Sequence, residues 1–231
     1  VSVGEGEGYA AIARKKNAKV NYQVDLIDEI WEDRPVLSEE PAFDLDVKYA
    51  GENVASKLAR IREEMKEAGT NVHVVSTIDD ICWTLNIRGN DIDFFPLVLS
   101  YGIITMDSFE LYIDERKLDD KLKAKLAKDG VNLHPYNDIY EDVKKFGSDV
   151  VAMIDPGKLN YALFNNIPEN VKTVKKRNPA ILMKAIKNPV EIENIRKAQI
   201  KDSVAHVRFM KWLKENVGKM KITEMSASDK L

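Results

Sequence analysis

The sequence predicts an α/β fold in which helices cover both faces of a mixed β-sheet. Short runs rich in β-branched residues alternate with longer runs whose apolar residues recur at helical spacing. The runs at 97–106 and 110–113 are separated by the Asp107-Ser108 turn, which predicts a hairpin and therefore an antiparallel pair in the sheet. The strands at 72–76 and 97–106 are expected among the central ones.

The other elements of the middle region follow from the same patterns. Helices are predicted over residues 54–68, 118–128, 139–146 and 158–166, and strands over 71–76, 97–106, 110–113, 131–134, 150–154 and 171–174. Asp79 or Asp80 caps a short additional helix that carries Trp83. A tryptophan between Cys82 and Leu85 has no reason to face solvent, so Trp83 is expected to be buried.

The start of the chain is less regular. Residues 1–40 contain a short amphipathic helical pattern, a predicted strand at 20–22 and an apolar cluster at helical spacing over 26–31. Prolines then break the pattern, which predicts a linker near residues 34–45.

A long helix is predicted after Asn188. This residue offers an N-cap, Pro189 takes the first helical position, and Glu191 follows three residues after the cap. The helix should run to about Val217. One stripe of this helix is too wide and too aromatic for a solvated tail. Its apolar residues are Ile192, Ile195, Ala198, Ala205, Phe209, Trp212 and Leu213.

Composition excludes several classes of partner. The net charge of −3 provides no basic field for nucleic acid or an anionic membrane surface, so neither is expected as a partner. No apolar run approaches the roughly 20 residues that span a bilayer. Cys82 is the only cysteine, so an internal disulfide is impossible and a reducing compartment is indicated.

Three segments in order carry a resemblance to a known family. They are 26–35 (LIDEIWEDRP), 79–105 (DDICWTLNIRGND, then FPLV and SYGIIT) and 184–191 (KAIKNPVE). Together they resemble the three-domain Xaa-Pro aminopeptidases, the aminopeptidase P family of the creatinase/prolidase superfamily. The resemblance implies a ribonuclease-H-like mixed sheet. It also implies three parts: residues 1–40 as the end of a first N-terminal domain plus linker, 45–185 as a middle creatinase N-terminal-like domain, and 186–231 as the first helices of a truncated catalytic domain.

The resemblance implies an activity whose catalytic groups are not recognised in this stretch of sequence. The complete enzyme would be a cytoplasmic, homodimeric metallopeptidase that releases the residue before proline from peptides with proline at the second position. It would use two divalent metal ions, usually manganese, held by two aspartates, a histidine and two glutamates. None of these ligands can be placed on this sequence, so no catalytic, cofactor-binding or metal residue is assigned and the chain alone is expected to be inactive. The alternative is a metal-free creatinase-fold module with a binding or chaperone-like role.

Two patterns that imitate a metal site are rejected. Asp80 and Asp91 have the separation of the family's metal-binding aspartates, but a helix and a loop lie between them instead of adjoining strands. His73, His134 and His206 each lack a second ligand at a familiar spacing.

The loop that begins at Arg88 is the candidate functional segment, with Arg88, Asn90, Asp91 and Phe95 as its cleft or interface residues. In a structural interpretation Gly89 supplies a positive-φ turn, and Arg88 pairs with Asp91 or Asp93. In a functional interpretation the loop reaches toward the catalytic cleft of the complete enzyme, or across a dimer interface. Where the family commonly reads Asn-Pro, this chain has Phe95-Pro96, and the apolar Phe pair of the loop is consistent with a contact surface.

Overall fold

The computed structural model describes residues 1–231 and divides them into two compact units. The first comprises Val1–Val47 and Glu52–Ile186, and the second comprises Lys48–Gly51 and Lys187–Leu231. The strands are β1 Phe43–Asp44, β2 Val72–Val75, β3 Ile87–Arg88, β4 Ser100–Thr105, β5 Phe109–Ile113, β6 Val131–His134, β7 Val151–Ile154 and β8 Lys172–Lys175. The helices are α1 Val3–Lys15, α2 Leu26–Ile30, α3 Val47–Ala50, α4 Val54–Glu67, α5 Ile78–Leu85, α6 Asp120–Lys128, α7 Ile139–Asp142, α8 Tyr161–Asn165, α9 Pro179–Ala185, α10 Pro189–Asn216 and α11 Glu224–Lys230.

The first unit is built on a six-stranded mixed sheet of order β6-β5-β4-β2-β7-β8. Strand β4 runs antiparallel to both β2 and β5, while the pairs β5–β6, β2–β7 and β7–β8 are parallel. The predicted hairpin and the central position of β2 and β4 are therefore confirmed. A separate two-stranded ribbon pairs β1 with β3.

Two apolar cores, one on each face of the sheet, confirm the predicted layering. One core joins Ile104 and Leu111 of the sheet to helices α4, α5 and α6, and Trp83 lies in it with 6% of its surface exposed, as predicted. The other joins Val74 and Ile103 to helices α1, α7 and α8. Alternate residues of a strand point to opposite faces, so β2 contributes to both cores.

The first helix packs on the sheet domain. Ser2 caps α1 with a reciprocal Glu5 contact, and Val3 is completely buried. A Cβ on Gly6 would lie 2.3 Å from the Tyr161 ring, so only glycine allows α1 to approach α8 this closely.

Several predicted boundaries differ from the structure. Residues 20–22 form no strand, because they pair neither with the six-stranded sheet nor with the β1–β3 ribbon. The predicted helix at 139–146 is split into α7 and a 3-10 turn, Val143–Lys145. The predicted helix at 158–166 is α8 alone, Tyr161–Asn165, because Asn160 caps it and sets its start.

The second unit consists mainly of helices. Asn188 and Glu191 form the predicted capping box of α10, and the Asn188 amide also donates to the Ala50 carbonyl oxygen at 2.8 Å. No residue of α10 is buried, and Ile200 and Val207 are largely exposed on a face that the predicted stripe did not include. None of the helices has the length and apolar character that crossing a membrane requires.

Replacing Leu111 with alanine should cost roughly 2–5 kcal/mol of unfolding free energy, because it deletes buried methyl groups from the middle of the sheet. Leu182→Ala, the same truncation at a mostly exposed position, is the matched control and should change stability by less than about 0.5 kcal/mol. Urea denaturation of both variants measures the difference, and equal losses would contradict the assignment of Leu111 to the core.

Candidate functional site

The candidate site is the loop of residues 88–97, which leaves the sheet domain after helix α5. That helix ends at Asn86, whose backbone is left-handed with φ 52°. The ammonium group of Lys57 lies where the helix carbonyls are unsatisfied, and it donates to the Trp83 carbonyl oxygen at 2.7 Å and to Asn86 Oδ1 at 2.6 Å. It also lies 4.4 Å from the centroid of the Trp83 ring. Lys57 therefore caps α5 and fixes the point from which the loop departs.

Arg88 lies at the base of the loop, where β3 pairs with β1. Its guanidinium donates to the carbonyl oxygens of Cys82 and Ile87, each at 2.8 Å. These bonds tie the base of the loop to the last turn of α5.

The decisive contact of the loop is a buried ion pair. Asp91 Oδ2 lies 2.6 Å from Lys117 Nζ, and the two side chains are 1% and 2% exposed. The same oxygen accepts the Leu99 backbone N–H at 2.7 Å, while Oδ1 has no hydrogen-bond partner. Lys117, on the 3-10 turn that follows β5, is the partner of Asp91, and the predicted pairing of Arg88 with Asp91 or Asp93 stays a prediction.

Glycine is required at position 89 because a side chain there would clash with its neighbours, and not because of the backbone angle. The predicted positive φ is absent there, and a Cβ at this position would lie 2.6 Å from Val98 Cγ2. The left-handed residue of the loop is Phe94, with φ 66°. A bulky residue rarely adopts this conformation unless its surroundings impose it.

The tip of the loop presents two phenyl rings to solvent. Asp91 N–H donates to the Leu97 carbonyl oxygen at 3.2 Å, and Phe95 N–H donates to that of Ile92 at 3.1 Å, which makes a narrow hairpin. Phe94 is fully exposed and Phe95 is 62% exposed. Asn90 is also exposed beside them. Of the four predicted residues, the structure places Asn90 and Phe95 on the outer surface, and Arg88 and Asp91 in the base.

The other chemically interesting side chains do not assemble with this loop into a reactive centre. Asp80 contacts Lys184 and Asn178, in a network separate from that of Asp91. His134 pairs with Glu110 at 2.6 Å, and His206 is exposed on α10. Burial raises the pKa of the Cys82 thiol, whose sulfur accepts the Val98 N–H. This environment is that of a packed thiol.

The residues of this chain do not fit a dinuclear metal centre. No group of three or more histidine, cysteine, aspartate or glutamate side chains is placed to hold a metal ion. The Asp91 carboxylate is the one with an unpartnered buried oxygen, and it is already neutralised by Lys117.

Comparison with known proteins identifies the family. The model of the creatinase/prolidase N-terminal domain matches residues 33–191. The chain belongs to this family. A protein of Sordaria macrospora described as "Probable Xaa-Pro aminopeptidase P" is 36% identical over 219 residues, which is 90% of this chain and 36% of the relative. Xaa-Pro aminopeptidase 1 of Dictyostelium discoideum is 34% identical over 247 residues, which covers all of this chain and 39% of the relative.

A solved structure resembles this protein over almost the full length of the present chain. The X-prolyl aminopeptidase of Caenorhabditis elegans, described as a cytosolic enzyme with a di-nuclear active site, superposes with a TM-score of 0.91 and 30% identity. The match covers 99% of this chain and 38% of that one. The chain thus spans well under half the length of the Xaa-Pro aminopeptidases that it matches, and it corresponds to their N-terminal part.

Removing the positive charge from the buried pair should destabilise the domain strongly. Lys117→Met leaves the Asp91 carboxylate buried without a counter-charge, which should cost roughly 3–5 kcal/mol. The double variant Asp91→Leu/Lys117→Met removes both charges and should lose less than the single variant. Urea denaturation of both measures the unfolding free energies.

The matched control is Lys144→Met, because the Lys144–Glu141 pair is an ion pair of similar length on an exposed surface. It should cost no more than about 1 kcal/mol. A Lys117→Met variant as mild as this control would show that the buried pair does not hold the loop.

Proposed function

We propose that this chain is the non-catalytic N-terminal portion of a metal-dependent aminopeptidase that removes the residue preceding proline from peptides. The complete enzyme would be cytoplasmic and homodimeric, with two divalent metal ions, manganese by preference, bound outside residues 1–231. The observation that carries the proposal is the structural likeness to the Caenorhabditis elegans enzyme, which extends over 99% of this chain. The active site of that enzyme is described as di-nuclear. The sequence relatives support it, since those described above are Xaa-Pro aminopeptidases.

Within that enzyme the 88–97 loop would serve as a contact element of the cleft or of the dimer interface. Three features support this role. Its base is fixed by the buried Asp91–Lys117 pair, its tip holds Phe94 in a left-handed conformation, and its two phenyl rings lie in solvent. Exposed aromatic side chains on a rigid support are the type of residue that dominates binding energy at interfaces. The neighbouring Arg88 is engaged at the base and would act by positioning the loop.

The second candidate function is a metal-free binding module of the same fold. The exposed Phe94-Phe95 tip favours it equally, because a protein-interaction surface would have the same character. Metal ligands in the sequence that follows this chain decide between the two candidates.

The proposal predicts a divalent-metal-dependent peptidase whose activity is absent from residues 1–231 alone. The whole protein should hydrolyse Xaa-Pro peptides, lose activity to a chelator and regain it with manganese, whereas the isolated chain should show no turnover. An inert whole protein that binds no metal would favour the binding module. Activity of the isolated chain that persists through repeated purification would contradict the assignment of the catalytic groups.

Exchange of the loop aromatics tests the role of the tip. In the whole protein, Phe94→Ser with Phe95→Ser should lower kcat/KM or weaken the dimer on the order of tenfold, the size of one good interface contact. Tyr9→Ser, at an exposed aromatic residue of α1, is the control and should change neither quantity. An unchanged kcat/KM and dimer constant in the loop variant would exclude the tip from both cleft and interface.

A further inference from the structure

A groove of about 600 Å³ opens beside the ends of strands β5 and β6. These strands are parallel, and Ile113 and His134 are their last residues. The segments that follow them, 114–117 and 135–138, line the groove together with residues 36–39 of the N-terminal part of the chain. Ligands of open α/β sheets commonly bind outside the carboxyl ends of the strands. The position of this groove therefore makes it a candidate binding site.

The groove has an apolar part that would hold one apolar side chain. Leu99 and Ile113 of the sheet region line it, with Leu37 and the ring of Tyr136. The Tyr136 ring lies 5.0 Å from the ring of Tyr101, a contact that fixes its position. Burial raises the pKa of Tyr136, so its phenol stays neutral at physiological pH. The volume is within the range of ordinary ligand sites.

The charges that line the groove are mainly negative. Lys117 is already neutralised in the buried ion pair described above. Arg116 is shared between two carboxylates, since its guanidinium lies 2.6 Å from Glu39 and 2.6 Å from Asp114. Asp138 is exposed and forms no ion pair. The lining carboxylates are Glu39, Asp114, Glu115 and Asp138. They outnumber the cations, so the groove favours a positively charged ligand.

The backbone of residues 36–39 favours a peptide over a small amine. These residues make no backbone–backbone hydrogen bond. The Ala42 N–H, a few residues further on, donates to the Lys117 carbonyl oxygen at 2.9 Å and holds this segment beside the 3-10 turn. Unpaired backbone N–H and C=O groups along a groove can pair with those of an extended peptide, whereas a small amine would leave them to water.

We propose that this groove binds an extended peptide segment of another polypeptide. An apolar side chain of that segment lies against Leu99 and Tyr136, and a basic side chain lies at Asp138. The rim carboxylates repel an acidic segment. The site does not depend on the peptidase activity proposed above, because all its parts lie within residues 36–138.

NMR titration of the ¹⁵N-labelled chain with short peptides tests the proposal. The probe is the acetylated and amidated tetrapeptide Ala-Leu-Arg-Ala, which should bind with a Kd below about 1 mM and shift amide signals of residues 36–39, 114–117 and 136–138. Exchanging the leucine of the probe for serine should weaken binding about tenfold, because no apolar side chain is then buried. Exchanging its arginine for glutamine should weaken binding about two- to fivefold. The absence of saturable shifts, or shifts centred on other residues, would overturn the proposal.

Neutralising one rim carboxylate separates specific recognition from general charge attraction. Asp138→Asn changes an exposed side chain and should leave the fold intact. It should weaken binding of the arginine probe about two- to fivefold and leave binding of the glutamine version unchanged. The matched control is Asp149→Asn, an exposed aspartate near the amino end of β7, at the opposite edge of the sheet. It should change neither affinity. Equal losses in the two variants, or no loss with Asp138→Asn, would contradict recognition of the basic side chain at the rim.

Discussion

The shape of the 88–97 loop depends on one buried interaction, the ion pair between Asp91 and Lys117. Two charges removed from water are tolerated only when each neutralises the other, and here the distance between them is 2.6 Å. Lys117 follows β5 and Asp91 lies in the loop, so the pair joins the loop to the end of β5. The oxygen of Asp91 that has no partner shows that this constraint carries a cost. The same base supports the left-handed backbone of Phe94 at the tip.

Helix α5 connects this loop to the rest of the domain through polar contacts at both of its ends. Lys57 caps its last turn, and Asp80 in its first turn binds Lys184 and Asn178. Through Asn178 the same network reaches His73 in the central strand. The position of the start of α9 and the position at which the loop begins are therefore both set by contacts with one short helix. The apolar side of α5, which includes Trp83, packs into the core and fixes the position of the helix.

The sequence predicts those features that depend on local pattern. β-branched runs identify β2 and the hairpin, and the Asn188 capping box identifies the start of α10. Lys57 and Lys117 could not be recognised as buried, because a lysine within a charged helix or turn is ordinarily solvated. Their partners lie 29 and 26 residues away, a separation that only the tertiary fold brings together. The sequence predicted that position 89 needs glycine for its backbone angle. The structure shows a different reason, which is the close approach of the Val98 side chain.

The role proposed for the 88–97 loop requires its exposed aromatic tip to be rigid. Rigidity can be measured without knowing the partner, because backbone amide relaxation reports motion of the loop on the ps–ns timescale. Order parameters for Ile92, Phe94 and Phe95 in the wild type should approach about 0.85, the value of ordered backbone such as β4. Values below about 0.6 at the tip would contradict the account, since the buried pair at its base would then leave the aromatic residues free to move.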